Sequence, residues 1–224
     1  MDKSTLYITA TPIGNLEDIS RRALNTLQDV DLILCEDTRE TQKLLNHFNI
    51  DTKTTSYHQN TRQKKILDIF KFLQQGNSAA LVSDAGTPGI SDPGGKLVEF
   101  ITQKSDKITI TPIPGPSAVT TALSVSGFPA NEFVFLGFPP HKKGRTKFFK
   151  DLLDYNKKVI FYESKHRIHK TINKLKELID KTRKICICRE LTKKFETIHR
   201  GTIDDIVGQE IKAKGEFSII IDSR

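Results

Sequence analysis

The sequence predicts an α/β protein of two domains, residues 1–115 and 116–224. Three observations carry that prediction. Short apolar runs alternate with helical patterns along the first half, as in a parallel sheet with helices on both faces. Near the midpoint, Pro112–Ser117 (PIPGPS) places three prolines within five residues, a stiff extended connection. The two sides also differ in charge. Residues 1–140 hold 13 Lys/Arg against 15 Asp/Glu, whereas residues 141–200 hold 19 against 7, so the excess positive charge sits in one block of the second half.

Taken in order, Leu6–Thr9 reads as a strand followed by the turn-rich Ala10–Asn15. A helix over Ile19–Gln28 places Ile19, Ala23, Leu24 and Leu27 on one face. Leu32–Cys35 is a second strand, running into Glu36-Asp37-Thr38-Arg39 and a helix to Phe48. Thr54–Tyr57 leads to His58, then to a periodic helix carrying Ile66, Ile69, Phe70 and Leu73 and stopped by Gly76. Ala79–Ser83 is a buried strand, and Ser83–Gly95 is too rich in Gly and Pro for a helix or a central strand. Asp92-Pro93 has the chemistry of an N-cap and first helical position, ahead of a helix over Lys96–Gln103. Ile108–Thr111 closes the first set of strands.

Beyond the prolines, Ser117 precedes a helix to Ser126, and Phe133–Leu136 is a strand before the basic loop Gly137–Gly144. A helix from Arg145, a strand over Val159–Tyr162 and a basic helix over Arg167–Asp180 follow. Ile185–Cys188 is a strand, and Phe195–Arg200 reads as another. Thr202–Asp205 has capping-box spacing, and Phe217–Ile221 is the closing strand.

The composition narrows the function. No run approaches the roughly 20 apolar residues of a membrane span, and the N-terminus lacks a cleavage pattern, which predicts a cytoplasmic protein. The cysteines Cys35, Cys186 and Cys188 read as reduced thiols. Cys186 and Cys188 alternate within KICICRE, so they share one face of a strand. No second Cys pair or nearby His cluster completes a zinc set, and no metal is expected. One-sided positive charge points to a polyanionic partner such as RNA.

The chemistry should lie where strand ends carry small or polar residues: Ala10–Asn15, Glu36–Arg39, Ser83–Gly95 and Pro114–Ala118. In a parallel sheet those ends share one edge, where ligands bind. Neither a P-loop nor a G-x-G-x-x-G pattern after the first strand is present, which argues against a P-loop or an ordinary dinucleotide fold.

The segments TPIGNLEDIS, CEDTR, LVSDAGTPGISDPG, PIPGPSA, FYES, CRELTKKFE and KGEFSIII occur in this order. Together they resemble the tetrapyrrole-methylase-fold S-adenosylmethionine methyltransferases, and within them the bacterial branch that methylates the ribose 2′-hydroxyl of a decoding-centre cytidine in 16S rRNA. The resemblance implies an N-terminal parallel sheet, a C-terminal mixed sheet, a methyl donor in the cleft between the domains, a homodimer and the small ribosomal subunit as partner. Members of that branch often continue past the last strand, so the resemblance leads to the expectation that RNA contacts made by such an extension are missing or replaced here.

Carried over by position, Pro12 and Ile13 would contact the donor S-adenosylmethionine. Asp84, Gly86 and Thr87 would hold its ribose and amino-acid parts. Ser117 and Ala118 would touch it, and Tyr162 and Phe217 would close over its adenosine. The proton acceptor is open among Asp37, Glu163, Glu190 and His58, with Asp37 equally able to cap a helix. Arg39 and Arg189 suit the target nucleotide. Lys142, Lys143, Arg145 and Lys147, with Lys165 and Arg167, form the expected RNA-binding clusters. Two other readings stand beside this one: a methyltransferase of the same fold acting on a small tetrapyrrole or corrin, and a ribosome-binding protein without catalysis.

Overall fold

The computed structural model describes residues 4–223. The chain divides after Ser117 into two compact units.

The first unit is built on β1 (Thr5–Thr9), β2 (Leu32–Cys35), β3 (Thr54–Ser56), β4 (Ala79–Leu81) and β5 (Thr109–Ile113). They form a parallel sheet in the order β3-β2-β4-β1-β5. Parallel neighbours need crossovers, and the helices supply them on both faces. The helices α1 (Arg21–Asp29) and α2 (Thr38–His47) cover one face, packing Leu27, Leu44 and Leu45 on Tyr7, Ile33 and Ala80. The opposite face takes α3 (Gln63–Gln74) and α4 (Gly95–Lys104), whose Ile66, Leu73, Leu97 and Ile101 pack on Leu6, Leu34 and Leu81. Residues one apart in a strand therefore serve different cores, as Leu6 and Tyr7 do.

Two boundaries differ from expectation. The first helix, α1, starts at Arg21 instead of Ile19, because Ser20 accepts the N–H of Ala23 and caps it there, and a 3-10 turn at Leu16–Asp18 precedes it. Asp92 and Pro93 lie in the loop before α4 instead of starting it. The N-cap is Gly94 at φ 147°, where a Cβ would lie 3.0 Å from Leu81 and 3.3 Å from the Gly89 nitrogen. Only glycine lets the loop fold back that closely.

The second unit contains α5 (Ala118–Ser126), β6 (Phe133–Phe135), α6 (Arg145–Leu152), β7 (Lys158–Ser164), α7 (Ile168–Leu178), β8 (Lys184–Arg189), β9 (Thr197–Thr202), α8 (Ile203–Val207) and β10 (Glu216–Ile221). Its sheet runs β6-β7-β10-β8-β9. Only the β6–β7 pair is parallel, so the sheet is mixed. The α6, α7 and α8 helices pack Phe149, Ile172 and Ile206 onto Phe161, Ile187, Phe217 and Ile219. Thr202 and Asp205 form the expected capping box of α8. The sulfurs of Cys186 and Cys188 lie 3.7 Å apart, both buried, on one face of β8. Among the described residues, no group of three or more His, Cys, Asp or Glu could hold a metal ion, and no helix is long and apolar enough to cross a membrane.

Candidate functional site

In the first unit the loops leaving β1, β2, β4 and β5 are tied into one surface at the carboxyl edge of the sheet. Thr11 and Gly86 exchange backbone hydrogen bonds at 2.9 and 3.1 Å, an antiparallel bridge between the first and fourth loops. The Thr11 hydroxyl donates to the Ser83 carbonyl at 3.1 Å. Thr87 Oγ1 donates to the Pro116 carbonyl at 3.1 Å, tying in the loop after β5. Gly86 sits at φ 85°, a left-handed conformation that favours glycine. At Gly115 a Cβ would stand 3.0 Å from the Ala10 Cβ, so a bare backbone is what lets these two loops lie together.

The loop after β2 joins through Asp84, whose Oδ1 accepts the Asp37 N–H at 3.1 Å. Among the described residues its other carboxylate oxygen takes no hydrogen bond from the protein. Burial, then the charges of Asp37 and Glu40, raise the Asp84 carboxyl above its ordinary range, against the lowering pull of that N–H. Glu36 is also raised, first by burial and then by Asp84, with His58 opposing. Asp37 goes the other way. Hydrogen bonds from the Arg39 side chain and backbone N–H hold it at about 2. The edge therefore carries three carboxylates in two states: one saturated by an arginine, two destabilised as anions.

In the second unit a charged network lies inside the fold. Glu163 is buried, and its carboxylate meets Arg145 at 2.8 Å, Arg167 at 2.9 Å and the Thr171 hydroxyl at 2.6 Å. Arg145 also donates to Thr171 and stacks over Phe149, 5.0 Å from the ring centroid. Arg189 is likewise buried and donates to the Lys214 and Phe195 carbonyls. The Glu190 carboxylate accepts the Glu216 N–H and the Lys193 ammonium, in a turn where Glu190 itself has φ 52°.

Residues 5–207 match the family model of Tetrapyrrole (Corrin/Porphyrin) Methylases. The chain belongs to this family. Its relatives include proteins named ribosomal RNA small subunit methyltransferase I. That of Halalkalibacterium halodurans is 46% identical, over 99% of this chain and 76% of that protein. That of Thermotoga maritima is 42% identical over 98% of both, and that of Escherichia coli O157:H7 is 43% identical over 97% of this chain and 77% of that protein. Among solved structures, a diphthine synthase superposes with a TM-score of 0.73 at 10% identity, covering 98% of this chain and 90% of that one. The cobalt precorrin-4 methyltransferase CbiF superposes with a TM-score of 0.68 at 16% identity, covering 98% and 95%. These last two likenesses establish the two-sheet α/β fold.

Against this tetrapyrrole-methylase fold, the predicted site residues sort into three groups. Pro12, Ile13, Asp84, Gly86 and Thr87 come together at the carboxyl edge of the first sheet, with Ser117 at the far end of the loop after β5. Pro12 and Ile13 have buried side chains, so the surface they offer is backbone. The Thr87 hydroxyl is committed to Pro116, so it too offers backbone. Ala118 opens α5 in the second unit.

A second group changes role. Tyr162 and Phe217 do not share a surface. Phe217 pairs with Glu163 and Tyr162 with Ser218 across the β7–β10 ladder, so the two rings point to opposite faces of the sheet. Phe217 lies in the α6–α8 core, while Tyr162 packs 5.0 Å from Phe135 and 5.3 Å from Phe138 between ring centroids. Glu163 cannot accept a substrate proton, because it is sealed from solvent and its oxygens face two guanidiniums. Its removal would leave uncompensated buried charge, at a cost of about 3–5 kcal/mol. Arg145, Arg167 and Arg189 are therefore internal struts and not the expected RNA contacts. Asp37, saturated by Arg39, is the N-cap of α2. Glu190 shapes a turn.

The third group stays on the surface. Lys142, Lys143 and Lys165 are exposed, and Lys147 is exposed beside Asp151 at 2.6 Å. Arg39 is exposed with its guanidinium on Asp37, and His58 is exposed, its Nδ1 accepting the Asn60 N–H. Residues that were missed are Thr11, Ser83 and Pro116, which knit the loops together. Their signal was present as hydroxyl residues directly after apolar strands and as a proline-rich turn. Thr171 was also missed; its signal was its place one helical turn after Arg167.

Proposed function

We propose that this chain transfers a methyl group from S-adenosylmethionine to RNA of the small ribosomal subunit, with the ribose 2′-hydroxyl of a cytidine as acceptor, and that it works in the cytoplasm as a homodimer. The observation that carries the proposal is its 42–46% identity, over nearly its whole length, to proteins named for methylation of that RNA. The resemblance of its motif series to the 2′-hydroxyl branch supports the finer assignment.

The loops of the first unit fit such a donor. Asp84 keeps one oxygen clear for a hydroxyl or an ammonium, a charge-assisted bond. Gly86 bares the backbone two residues further on, and the Asp84 carboxylate complements a cationic donor. When bound, the sulfonium supplies a methyl group already activated for displacement by an oxygen nucleophile. The protein's own work is then to align the two reactants and take one proton. Glu36 replaces Asp37 as the acceptor of that proton. It stands at the same strand end, and its carboxylate is raised toward the working range of a base while Asp37 is held at about 2. Lys142, Lys143, Lys147 and Lys165 supply phosphate contacts that position the RNA without reading its sequence.

The test is transfer of labelled methyl from the donor to unmodified small subunits, beside a tetrapyrrole precursor as competing acceptor. Label in the RNA is expected. Label in the tetrapyrrole alone would replace the proposal with the small-molecule reading, and no donor binding would remove both.

A further inference from the structure

We infer that Glu163 is a positioning residue for RNA binding, acting through Arg145 and Arg167 on the loop Gly137–Gly144. The inference rests on the RNA reading above and adds the device that shapes the RNA-facing loop.

The loop contains Pro139 and Pro140, which have no N–H to donate, so it can hold itself only weakly through its own backbone. Its carbonyls are held from outside. Tyr162 N–H donates to the Gly137 carbonyl at 2.8 Å. Arg167 donates to the Pro139 carbonyl at 2.8 Å, and Arg145 reaches the Pro140 carbonyl at 3.3 Å. Both arginines are themselves fixed by the one buried carboxylate of Glu163. Left-handed glycines bracket the segment, Gly137 at φ 63° and Gly144 at φ 88°.

What the clamp presents is matched to an unpaired nucleic-acid strand. Phe138 is 54% exposed, a large aromatic face backed by Tyr162 and open to stacking. His141, Lys142 and Lys143 follow it directly and are exposed, and among the described residues none of the three forms an ion pair. An aromatic platform with adjacent cations is the arrangement that holds a single strand by stacking and phosphate contact. A buried ion triad is a costly way to stabilise a fold, since apolar residues of the same volume often serve as well. Here the triad fixes two prolyl carbonyls in space, which apolar residues could not do.

The experiment is steady-state methylation of small subunits by the full chain carrying Glu163→Gln, beside Arg167→Lys. The latter keeps the buried charge but loses the fork by which Arg167 holds Glu163 through Nε and the Pro139 carbonyl through Nη1. For both, the KM for RNA should rise, about tenfold for Glu163→Gln. Donor binding by calorimetry, and kcat at saturating RNA, should stay within about twofold of the parent. In a background of Phe138→Ala with Lys142→Ala and Lys143→Ala, neither substitution should raise the KM further, because the loop they act through no longer contacts RNA. Should Glu163→Gln fail to fold, Arg167→Lys alone carries the test. An unchanged KM for RNA, an effect that adds fully to the loop substitutions, or a fall in kcat at unchanged KM would each overturn the inference. If the parent chain methylates no RNA at all, the proposed function fails instead, so the two failures are distinguishable.

Discussion

The Asp84 carboxylate accepts the backbone N–H of Asp37 at 3.1 Å, so the loop after β4 and the first turn of α2 hold one another in place. One carboxylate oxygen does this structural work, and among the described residues the other takes no hydrogen bond from the protein; in the proposed function it holds the donor. Asp84→Ala should therefore weaken binding of S-adenosylmethionine by about 10- to 100-fold, the range of a charge-assisted hydrogen bond. Calorimetry measures it, and Asp84→Asn should fall between. Parent-like affinity in Asp84→Ala would remove this residue from the donor site.

The same carboxyl predicts a pH dependence. Burial, followed by the charges of Asp37 and Glu40, sets its folded pKa above the ordinary 3.8. The folded state thus prefers the protonated form, and this group's contribution to stability declines as pH rises from 3.8 through the raised value. A cationic donor favours the ionised form, so binding releases a proton and donor affinity should climb over the same interval before levelling. Asp37, held at about 2, stays charged throughout and adds nothing to the slope. Affinity measured against pH should lose most of its slope in Asp84→Asn. An unaltered slope in that variant would assign the dependence to another group.

Glu36→Gln separates proton transfer from donor binding. It should lower kcat by about 100-fold or more, the usual contribution of a positioned base, while the donor Kd changes little. Parent-like kcat would mean that the hydroxyl proton leaves by another route.

The two kinds of basic residue in the second unit should behave differently. Glu163→Ala or Arg145→Ala should destabilise it by about 3–5 kcal/mol in chemical denaturation. Lys142→Ala with Lys143→Ala should leave stability within about 0.5 kcal/mol per site. The lysine pair should instead flatten the salt dependence of RNA binding, lowering the slope of log K against log salt by about 1.4 for two phosphate contacts to a single strand. An unchanged slope would place both lysines away from the RNA.

Much of this architecture is legible in the chain. The alternation of LYIT, LILC and AAL with amphipathic helices gives a parallel sheet, and the Gly- and Pro-rich loops after those strands mark its ligand edge. Asp84, Gly86 and Thr87 lie in one of those loops, but their donor-binding roles come only from the resemblance of the motif series. The fate of the basic block was less legible. Arg145, Arg167 and Arg189 read as surface because arginine usually is, and the buried acid that recruits two of them is 18 residues from Arg145 in sequence. Pairing at that range is set by the packing of α6 on β7, where Phe149 meets Phe161, and leaves no local pattern. The error at Phe217 was avoidable. Phe217, Ile219 and Ile221 alternate with Ser218 and Ile220, and period two already places Phe217 with the helix-covered core. Likewise Asp37, directly before the helix that starts at Thr38, has the chemistry of a cap before that of a base.

The central claim is methyl transfer to a ribose hydroxyl of small-subunit RNA. The most direct measurement incubates unmodified small subunits with the protein and labelled donor, digests the RNA to nucleosides and identifies the labelled species by mass spectrometry. The account predicts 2′-O-methylcytidine from a single position, absent with Asp84→Ala. Label on a base instead of the ribose, or no label in RNA while a tetrapyrrole acceptor is methylated, would contradict it.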